Sequence, residues 1–215
     1  MAIIYRADIR PNKLELLEAW LPTQPWYAGS AGTSLERVGA YRFDDPAGEV
    51  GVETMLVRAG AGPVLQVPLS YRGDPLPGAE AWLITTMEHS VLGTRWVYDA
   101  CADPVYVSAL AATILAGGTQ AGEYVQVDGG GSEPRPTSVE VVGSGSPGSA
   151  VPSVDRVEDL SCTTDDAITV CTASGVELEV RRIVDPSAEI AGEHTLTGTW
   201  AGQDEPVLLA TAQRR

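Results

Sequence analysis

Apolar residues first recur at helical spacing near the start of the chain, from Leu14 to Leu21. Asn12 is suited to cap this helix, because Glu15 stands three residues later and completes a capping box. Pro22 has no backbone N–H to continue the hydrogen-bond ladder. The pattern therefore predicts a short amphipathic helix that ends before Pro22.

The pattern then changes to short runs of β-forming residues. Between these runs lie turns rich in glycine, proline and aspartate, which favour the backbone angles of tight turns. Short turns of this kind join neighbouring antiparallel strands. The runs predict an antiparallel meander with strands at residues 40–43, 51–57, 64–71 and 81–86.

A second helix is predicted after Asp103, with Pro104 at its first position and Gly117 beyond its end. Its apolar face includes Val107 and Leu110, so we expect the helix to lie on the sheet. After it, strand-like runs return without helical periodicity. They predict strands at residues 123–127, 138–142, 157–162, 167–172, 176–184, 195–200 and 206–212.

Element order predicts an α+β fold, in which an antiparallel sheet and two helices are followed by a β-rich C-terminal extension. Glycine, serine and proline are concentrated in residues 129–153, a composition typical of a linker or flexible loop. We therefore divide the chain into an α+β domain at residues 1–128, this linker, and an extension at 154–215 that packs on the first domain.

Charge narrows the classes of partner. The chain of 215 residues has 14 basic and 29 acidic residues, a net charge of -15 and a pI near 4.4. Such a field repels nucleic acids. No apolar run is long enough to span a membrane, no secretory signal is evident, and three cysteines do not suggest a disulfide framework. We expect an acidic cytoplasmic protein, and the use of 13 arginines but one lysine suggests a bacterium of high GC content.

The sequence lacks the motifs that several kinds of chemistry require. The sequence has no phosphate-binding loop and no kinase catalytic or magnesium-binding motif, so we expect no nucleotide cofactor. His89 and His194 are far apart and no cysteine pair has zinc-site spacing, so no metal is expected. We assign no catalytic residue. Cys162 and Cys171 flank a turn at residues 165–166, where they could face each other as free thiols.

The segment richest in functional groups runs from Glu88 and His89 to Trp96, Tyr98 and Asp99. These residues could form an acid/base pair or a sugar-binding platform. The alternative is structural: the two aromatic rings fill the core or an interface, and the Asp99 carboxylate accepts backbone hydrogen bonds before the second helix.

A second candidate is the aromatic loop at Trp26 and Tyr27, which lies between Pro25 and Gly29. The loop directly follows the first helix, so one ring can fold back onto the sheet, and we expect that ring to be Trp26. The Tyr27 phenol can keep its hydroxyl in water while its ring covers a neighbour, which suits a docking surface.

Three motifs carry a resemblance to a known family. Residues 20–29 read WLPTQPWYAG, residues 64–71 read VLQVPLSY, and residues 97–100 read VYDA shortly before Asp103 and Pro104. In this order and spacing they resemble the maltokinase N-terminal cap domain family, over about residues 1–127. The basic residues that often follow the first motif in that family are replaced here by Ser30-Ala31-Gly32.

The resemblance implies a cystatin-like curved antiparallel sheet around a helix, which in actinobacterial sugar kinases precedes the two kinase lobes. It implies a cap-like or regulatory interaction module in α-glucan, trehalose or maltose metabolism, with a sugar-metabolic enzyme or kinase as partner. A branching enzyme is not expected, since that activity needs a large barrel with paired carboxylates. The alternative is a small-molecule binding protein or an enzyme, with a small sugar in a Glu88, His89 and Asp99 pocket.

Overall fold

The structure is a computed structural model that describes residues 2–4, 7–127, 131–173 and 175–215. Within these residues the α+β fold class predicted from element order is confirmed. The helices are α1 (Lys13–Trp20) and α2 (Pro104–Ala116). The strands are β1 (Ala2–Ile4), β2 (Ile9–Arg10), β3 (Leu35–Phe43), β4 (Gly51–Ala59), β5 (Val64–Arg72), β6 (Leu83–His89), β7 (Gly93–Asp99), β8 (Glu123–Val127), β9 (Gly131–Arg135), β10 (Val139–Gly143), β11 (Leu160–Asp165), β12 (Ile168–Ala173), β13 (Val176–Arg181), β14 (Ile183–Val184), β15 (His194–Trp200) and β16 (Gln203–Arg214).

The first large sheet is curled and antiparallel, with strand order β2-β6-β7-β5-β4-β3. We call it the cap sheet. Helix α1 covers one of its faces, where Leu17 and Leu21 are fully buried against Met55, Val67 and Val97. Burial of these apolar side chains holds the helix on the sheet.

The second large sheet is built from the C-terminal region, in the order β10-β15-β16-β13-β12-β11. Helix α2 lies between this sheet and the other face of the cap sheet. Leu110 and Ile114 of α2 share one core with Phe43 of β3 and with Leu178 and Leu209 of the C-terminal sheet. A helix enclosed from two sides needs apolar residues around most of its circumference, which is what α2 has.

One strand crosses from the C-terminal region into the cap sheet. The upper half of β5 pairs with β7 through Leu69 to Arg72, and its lower half pairs with β14 through Val64 and Leu65. The backbone N–H of Gln66 donates to the carbonyl of Arg182 between these two pairings. The cap sheet is thus completed by residues 182–184.

Strand boundaries differ from the sequence prediction in several places. β3 starts at Leu35 and not at residue 40, and the strand predicted at residues 81–86 starts at Leu83, after a 3-10 turn at residues 80–82. The single strand predicted at residues 176–184 is two strands, because β13 belongs to one sheet and β14 to the other. The strand predicted at residues 157–162 starts at Leu160, since residues 157–159 form a 3-10 turn. A small third sheet, in which β1 pairs with β8 in parallel, was not predicted.

The boundaries at residues 128 and 153 stay a prediction. Residues 128–130, which include the first two residues of the glycine-rich segment, lie outside the described residues. Within the predicted linker, β10 is an ordered strand that pairs with β15, and its residues Val139 and Val141 are fully buried. Gly143 and Gly145 bring the chain against the carbonyls of Thr113 and Leu115 at the end of α2, where a side chain would not fit.

Candidate functional site

Trp26 lies in the core beneath α1 and is 4% exposed. Its ring makes an edge contact with Trp20 at 6.1 Å between centroids, and the Arg182 guanidinium lies 5.4 Å from its centroid. The expectation that Trp26 folds back onto the sheet is confirmed. Tyr27 is half-buried and packs directly on Gly29.

The structure does not bring Glu88, His89 and Asp99 together. Glu88 and His89 end β6, opposite Thr94 and Gly93 at the start of β7, whereas Asp99 ends β7. Six residues of extended strand separate Gly93 from Asp99, a distance of about 20 Å. Glu88 is exposed and bonded to Thr94, and His89 is half-buried.

Trp96 and Tyr98 lie on the face of β7 opposite to that of Asp99. Trp96 is half-buried, and Tyr98 is 2% exposed with its hydroxyl accepting a hydrogen bond from the backbone N–H of Leu76 at 2.8 Å. With Trp26 and Tyr98 buried and Tyr27 and Trp96 half-buried, the four aromatic residues singled out in the sequence do not share an exposed patch.

The Asp99 carboxylate is buried and hydrogen-bonded within the protein. Its carboxylate accepts hydrogen bonds from the backbone N–H of Cys101 at 3.2 Å and from the guanidinium of Arg182 at 2.7 Å. Arg182 is fully buried and also donates to Thr169 Oγ1 at 2.6 Å. Burial opposes the charge on Arg182, but attraction to Asp99 outweighs it and raises the pKa of Arg182 above its usual value.

The three cysteines meet beside this ion pair. Cys162 and Cys171 are cross-strand partners in β11 and β12, as predicted, and all three cysteines are free thiols. The thiols of Cys162 and Cys171 both approach the carbonyl of Cys101, with Sγ–O distances of 2.9 and 3.3 Å. Burial raises the pKa of the Cys101 thiol well above its usual value, so this thiol is held in its neutral, unreactive form.

A pocket of about 450 Å³ opens on the α1 face of the cap sheet, beyond the first turn of α1. Basic and aromatic side chains from five elements line it, together with Asp44, Asp45 and Glu49, and we call it the basic pocket after the first group. That group consists of Lys13 of α1, Arg42 of β3, Tyr71 of β5, His89 of β6 and Arg95 of β7.

Glu53 of β4 lies at the base of this pocket, 4% exposed, and orients three of these side chains. Its carboxylate accepts hydrogen bonds from Lys13 Nζ at 2.5 Å and Tyr71 Oη at 2.9 Å, and lies 3.2 Å from the Arg42 guanidinium. Burial alone would raise the pKa of Glu53, but the charges of Lys13 and Arg42 lower it far below its usual value. Glu53 is therefore a fixed anion around which two cations are arranged.

Burial shifts the pKa of Lys13 in the opposite direction to that of Glu53. Burial lowers the pKa of Lys13, and attraction to Glu53 partly offsets this. The ammonium also lies 5.4 Å from the Tyr71 ring centroid, a cation–π contact. Lys13 is the single lysine of the sequence, which makes its place in this pocket notable.

His89 presents a donor to the basic pocket. Its Nδ1 accepts hydrogen bonds from the backbone N–H groups of Val91 and Leu92, so the neutral ring carries its proton on Nε2. Partial burial and the nearby charge of Arg95 lower the pKa of His89, which favours this neutral form. The Arg95 guanidinium is held at the rim by a hydrogen bond to the carbonyl of Leu92 at 2.6 Å.

The sequence reading singled out only His89 from this pocket. Its other members are scattered from residue 13 to residue 95, and no spacing motif joins them. A signal was nevertheless present, because Arg42 lies between Tyr41 and Phe43, and Glu53 lies between Val52 and Thr54. Charges inside such apolar runs are unusual on a strand buried on both faces, and they pair when they occur.

Comparison of the sequence with models of known protein families tests the resemblance to the cap domain. Residues 20–103 match the maltokinase N-terminal cap domain. The match runs from the end of α1 to the residue before α2, so it covers most of the cap sheet and the basic pocket apart from Lys13. The cap-like family suggested by the three motifs is thereby confirmed for this segment. No curated protein is similar enough to the chain to count as a match.

Two further observations bear on function. Among the described residues, no group of three or more histidine, cysteine or acidic side chains is arranged to hold a metal ion. In the same part of the chain, every helix is too short or too polar to pass through a lipid bilayer.

Proposed function

We propose that this protein is a non-catalytic cap-like module of bacterial α-glucan, trehalose or maltose metabolism, which acts in the cytoplasm by binding a sugar-metabolic enzyme or kinase. The observation that carries the proposal is the cap-domain match over residues 20–103. This segment here is completed by a C-terminal β-rich region of its own, through β14 and the Asp99–Arg182 ion pair.

Burial of the candidate aromatic residues changes how docking would work. Trp26, Tyr98 and Trp200 are buried and Tyr27 and Trp96 are half-buried, so aromatic rings supply only part of the contact area. Sheet edges remain: among the described strands, β11 pairs with β12 alone, and β9 pairs with β8 alone and is exposed along its length. Unpaired backbone groups on such edges are a common means of protein association.

The test is association with a maltokinase of the same organism, prepared as its two kinase lobes without the lobes' own cap. We expect a complex in sedimentation velocity at micromolar concentration and a changed KM for maltose. An unrelated protein of similar size and net charge serves as the control. Absence of a complex with both the lobes and the complete maltokinase would overturn the proposal.

The alternative function is a small-sugar-binding protein. The pocket predicted for it from Glu88, His89 and Asp99 is not assembled, although His89 does line the basic pocket. A neutral sugar such as maltose should bind saturably there if this alternative is correct. Titration with maltose therefore separates the two functions.

A further inference from the structure

All three cysteines of the sequence meet at one place, although Cys101 is 61 and 70 positions away from the other two. The thiols of Cys162 and Cys171 both donate to the carbonyl of Cys101. The two sulfur atoms therefore lie close to the same oxygen atom. Two thiols held side by side in this way can form an intramolecular disulfide when an oxidant is present.

The hairpin of β11 and β12 places Cys162 and Cys171 in the register that a cross-strand disulfide requires. Its turn has two residues, so Asp165 and Ile168 form the hydrogen-bonded pair next to the turn. Hydrogen-bonded and non-hydrogen-bonded pairs alternate along an antiparallel ladder, which makes Cys162 and Cys171 a non-hydrogen-bonded pair. The Cα atoms of such a pair are about 4.5 Å apart, within the range that a disulfide spans without backbone movement.

The neighbouring pair on the same face, Thr164 and Thr169, shows how closely side chains approach here. It is also a non-hydrogen-bonded pair, and its two hydroxyl oxygens are 2.8 Å apart. Cys162 and Cys171 follow two positions further along each strand, so their side chains point to the same face as the threonines. The hairpin thus brings the two thiols together as closely as it brings the hydroxyls.

The thiols of this pair differ in their access to solvent. Cys101 and Cys171 are fully buried. Cys162 is partly exposed and lines a pocket of about 270 Å³, beside Pro77 and Trp82. A dissolved oxidant can therefore reach Cys162 first, and Cys171 is placed to react second.

We propose that Cys162 and Cys171 are a reversible redox pair, which is a dithiol in the resting protein and becomes a cross-strand disulfide on reaction with a small-molecule disulfide. The Cys162 sulfur attacks one sulfur of the small disulfide and forms a mixed disulfide, and its proton leaves with the first small thiol. The Cys171 sulfur then attacks the Cys162 sulfur, and its proton leaves with the second small thiol. Two protein thiols and one small disulfide thus become one protein disulfide and two small thiols.

A reversible pair fits the reducing compartment expected from the cysteine content. Stable disulfides are rare there, whereas transient disulfides that sense the redox state do occur. The exchange runs backwards when small thiols are in excess, so the pair returns to the dithiol without a further enzyme. This inference goes beyond the docking proposal and does not depend on it.

Oxidation of the pair acts on the cap domain through Cys101. This residue lies in the 3-10 turn at residues 100–102, between Asp99 of β7 and the start of α2. Disulfide formation removes both S–H groups that donate to its carbonyl. Because a buried carbonyl that loses its donors destabilises the structure around it, the turn should open more often in the oxidised protein.

Mass spectrometry of the folded full chain tests the proposal, after incubation with oxidised glutathione at about pH 8, where a thiol is partly ionised. We expect the chain to lose two hydrogen atoms and dithiothreitol to restore them. Trypsin leaves Cys162 and Cys171 in one peptide, because no lysine or arginine lies between Arg156 and Arg181. This peptide should carry the disulfide, and alkylation under denaturing conditions should label Cys101 alone.

Three variants assign the roles of the thiols. Cys171→Ser should stop the reaction at a mixed disulfide of Cys162 with glutathione. Cys162→Ser should leave the folded chain unreacted, because the other two thiols are buried. Cys101→Ala is the matched control and should form the same disulfide at a rate within about threefold of the wild type. If Cys101→Ala does not fold, the peptide map of the wild type decides.

Hydrogen–deuterium exchange measures the effect on the turn. Amides of residues 99–105 should exchange about threefold faster or more in the oxidised chain than in the reduced chain. Exchange at β4, which is remote in sequence and lies in the middle of the cap sheet, serves as the internal reference.

Three results would overturn the inference. They are a folded wild type that keeps all its thiols in excess oxidised glutathione, a disulfide that joins Cys101 to the peptide of the other two cysteines, and equal exchange of residues 99–105 in the two redox states. These measurements use the chain alone, so failure to form a complex with kinase lobes would leave them unchanged.

Discussion

The guanidinium of Arg182 lies 2.7 Å from the carboxylate of Asp99, and the two residues are 83 positions apart in the chain. The contact joins the end of β7 in the cap sheet to the segment between β13 and β14. Both side chains are almost completely buried. This ion pair therefore couples the cap domain to the C-terminal region.

Removing one partner of this pair should strongly destabilise the protein. Asp99→Asn leaves the Arg182 cation buried without a counter-charge, and we expect a loss of about 3–5 kcal/mol in the free energy of unfolding. Arg182→Met should cost a similar amount. The double variant should lose clearly less than the sum of the two, as measured by urea unfolding. Strict additivity would show that the two charges do not stabilise each other.

Trp26→Ala should also be costly. A large buried ring is lost, and the cavity adds to the lost transfer free energy, for a total of about 3–5 kcal/mol. Tyr27→Ala is the matched comparison, because this neighbouring ring is only half-buried and should cost much less. Thermal unfolding of the two variants measures the difference. An unchanged midpoint for Trp26→Ala would contradict the core position of the ring.

Glu53→Gln should destabilise the protein in a pH-dependent way. At neutral pH the variant leaves Lys13 and Arg42 without their carboxylate, at a cost of about 3–5 kcal/mol. The folded-state pKa of Glu53 is lower than the unfolded value of 4.5, so its contribution is complete above that value and is lost as the pH falls below it.

The difference between wild type and Glu53→Gln should accordingly be constant from about pH 6 to 8 and shrink below about pH 4.5. Chemical unfolding at a series of pH values measures it. Glu140→Gln, an exposed position on β10, is the control and should differ little from wild type at any of these pH values. A difference that grows on acidification would have the wrong sign for this explanation.

Gly143→Ala should disrupt the contact between β10 and α2. A Cβ atom there would lie 1.9 Å from the carbonyl oxygen of Thr113, so the strand or the helix must move. We expect a loss of about 3 kcal/mol, or a fall in Tm of about 6–12 °C. At Gly51 the nearest atom would be 3.5 Å away, and Gly51→Ala should be well tolerated in the same thermal experiment.

The helices could be predicted because their signals are local. Asn12 and Glu15 form the expected capping box, and Gly117 ends α2 with a φ of 70°. These residues interact within one helical turn, so a short stretch of sequence contains all the information.

The sheet contacts could not be predicted in the same way. Nothing near Ile183 indicates that it pairs with Leu65, because that pairing depends on where β7 ends and leaves β5 open. The basic pocket could not be predicted for the same reason. Its side chains converge only after α1 and five strands have come together, and each strand contributes one polar residue to a largely apolar pattern.

Completion of the cap sheet by residues 182–184 has a consequence for synthesis of the chain. The ribosome produces β2 to β7 first, but the lower half of β5 stays without a neighbour on one side until Ile183 and Val184 have emerged. Until then Asp99 also has no cation to neutralise it. The nascent cap sheet thus presents an open strand edge on β5 until Ile183 and Val184 have been synthesised and can pair with it.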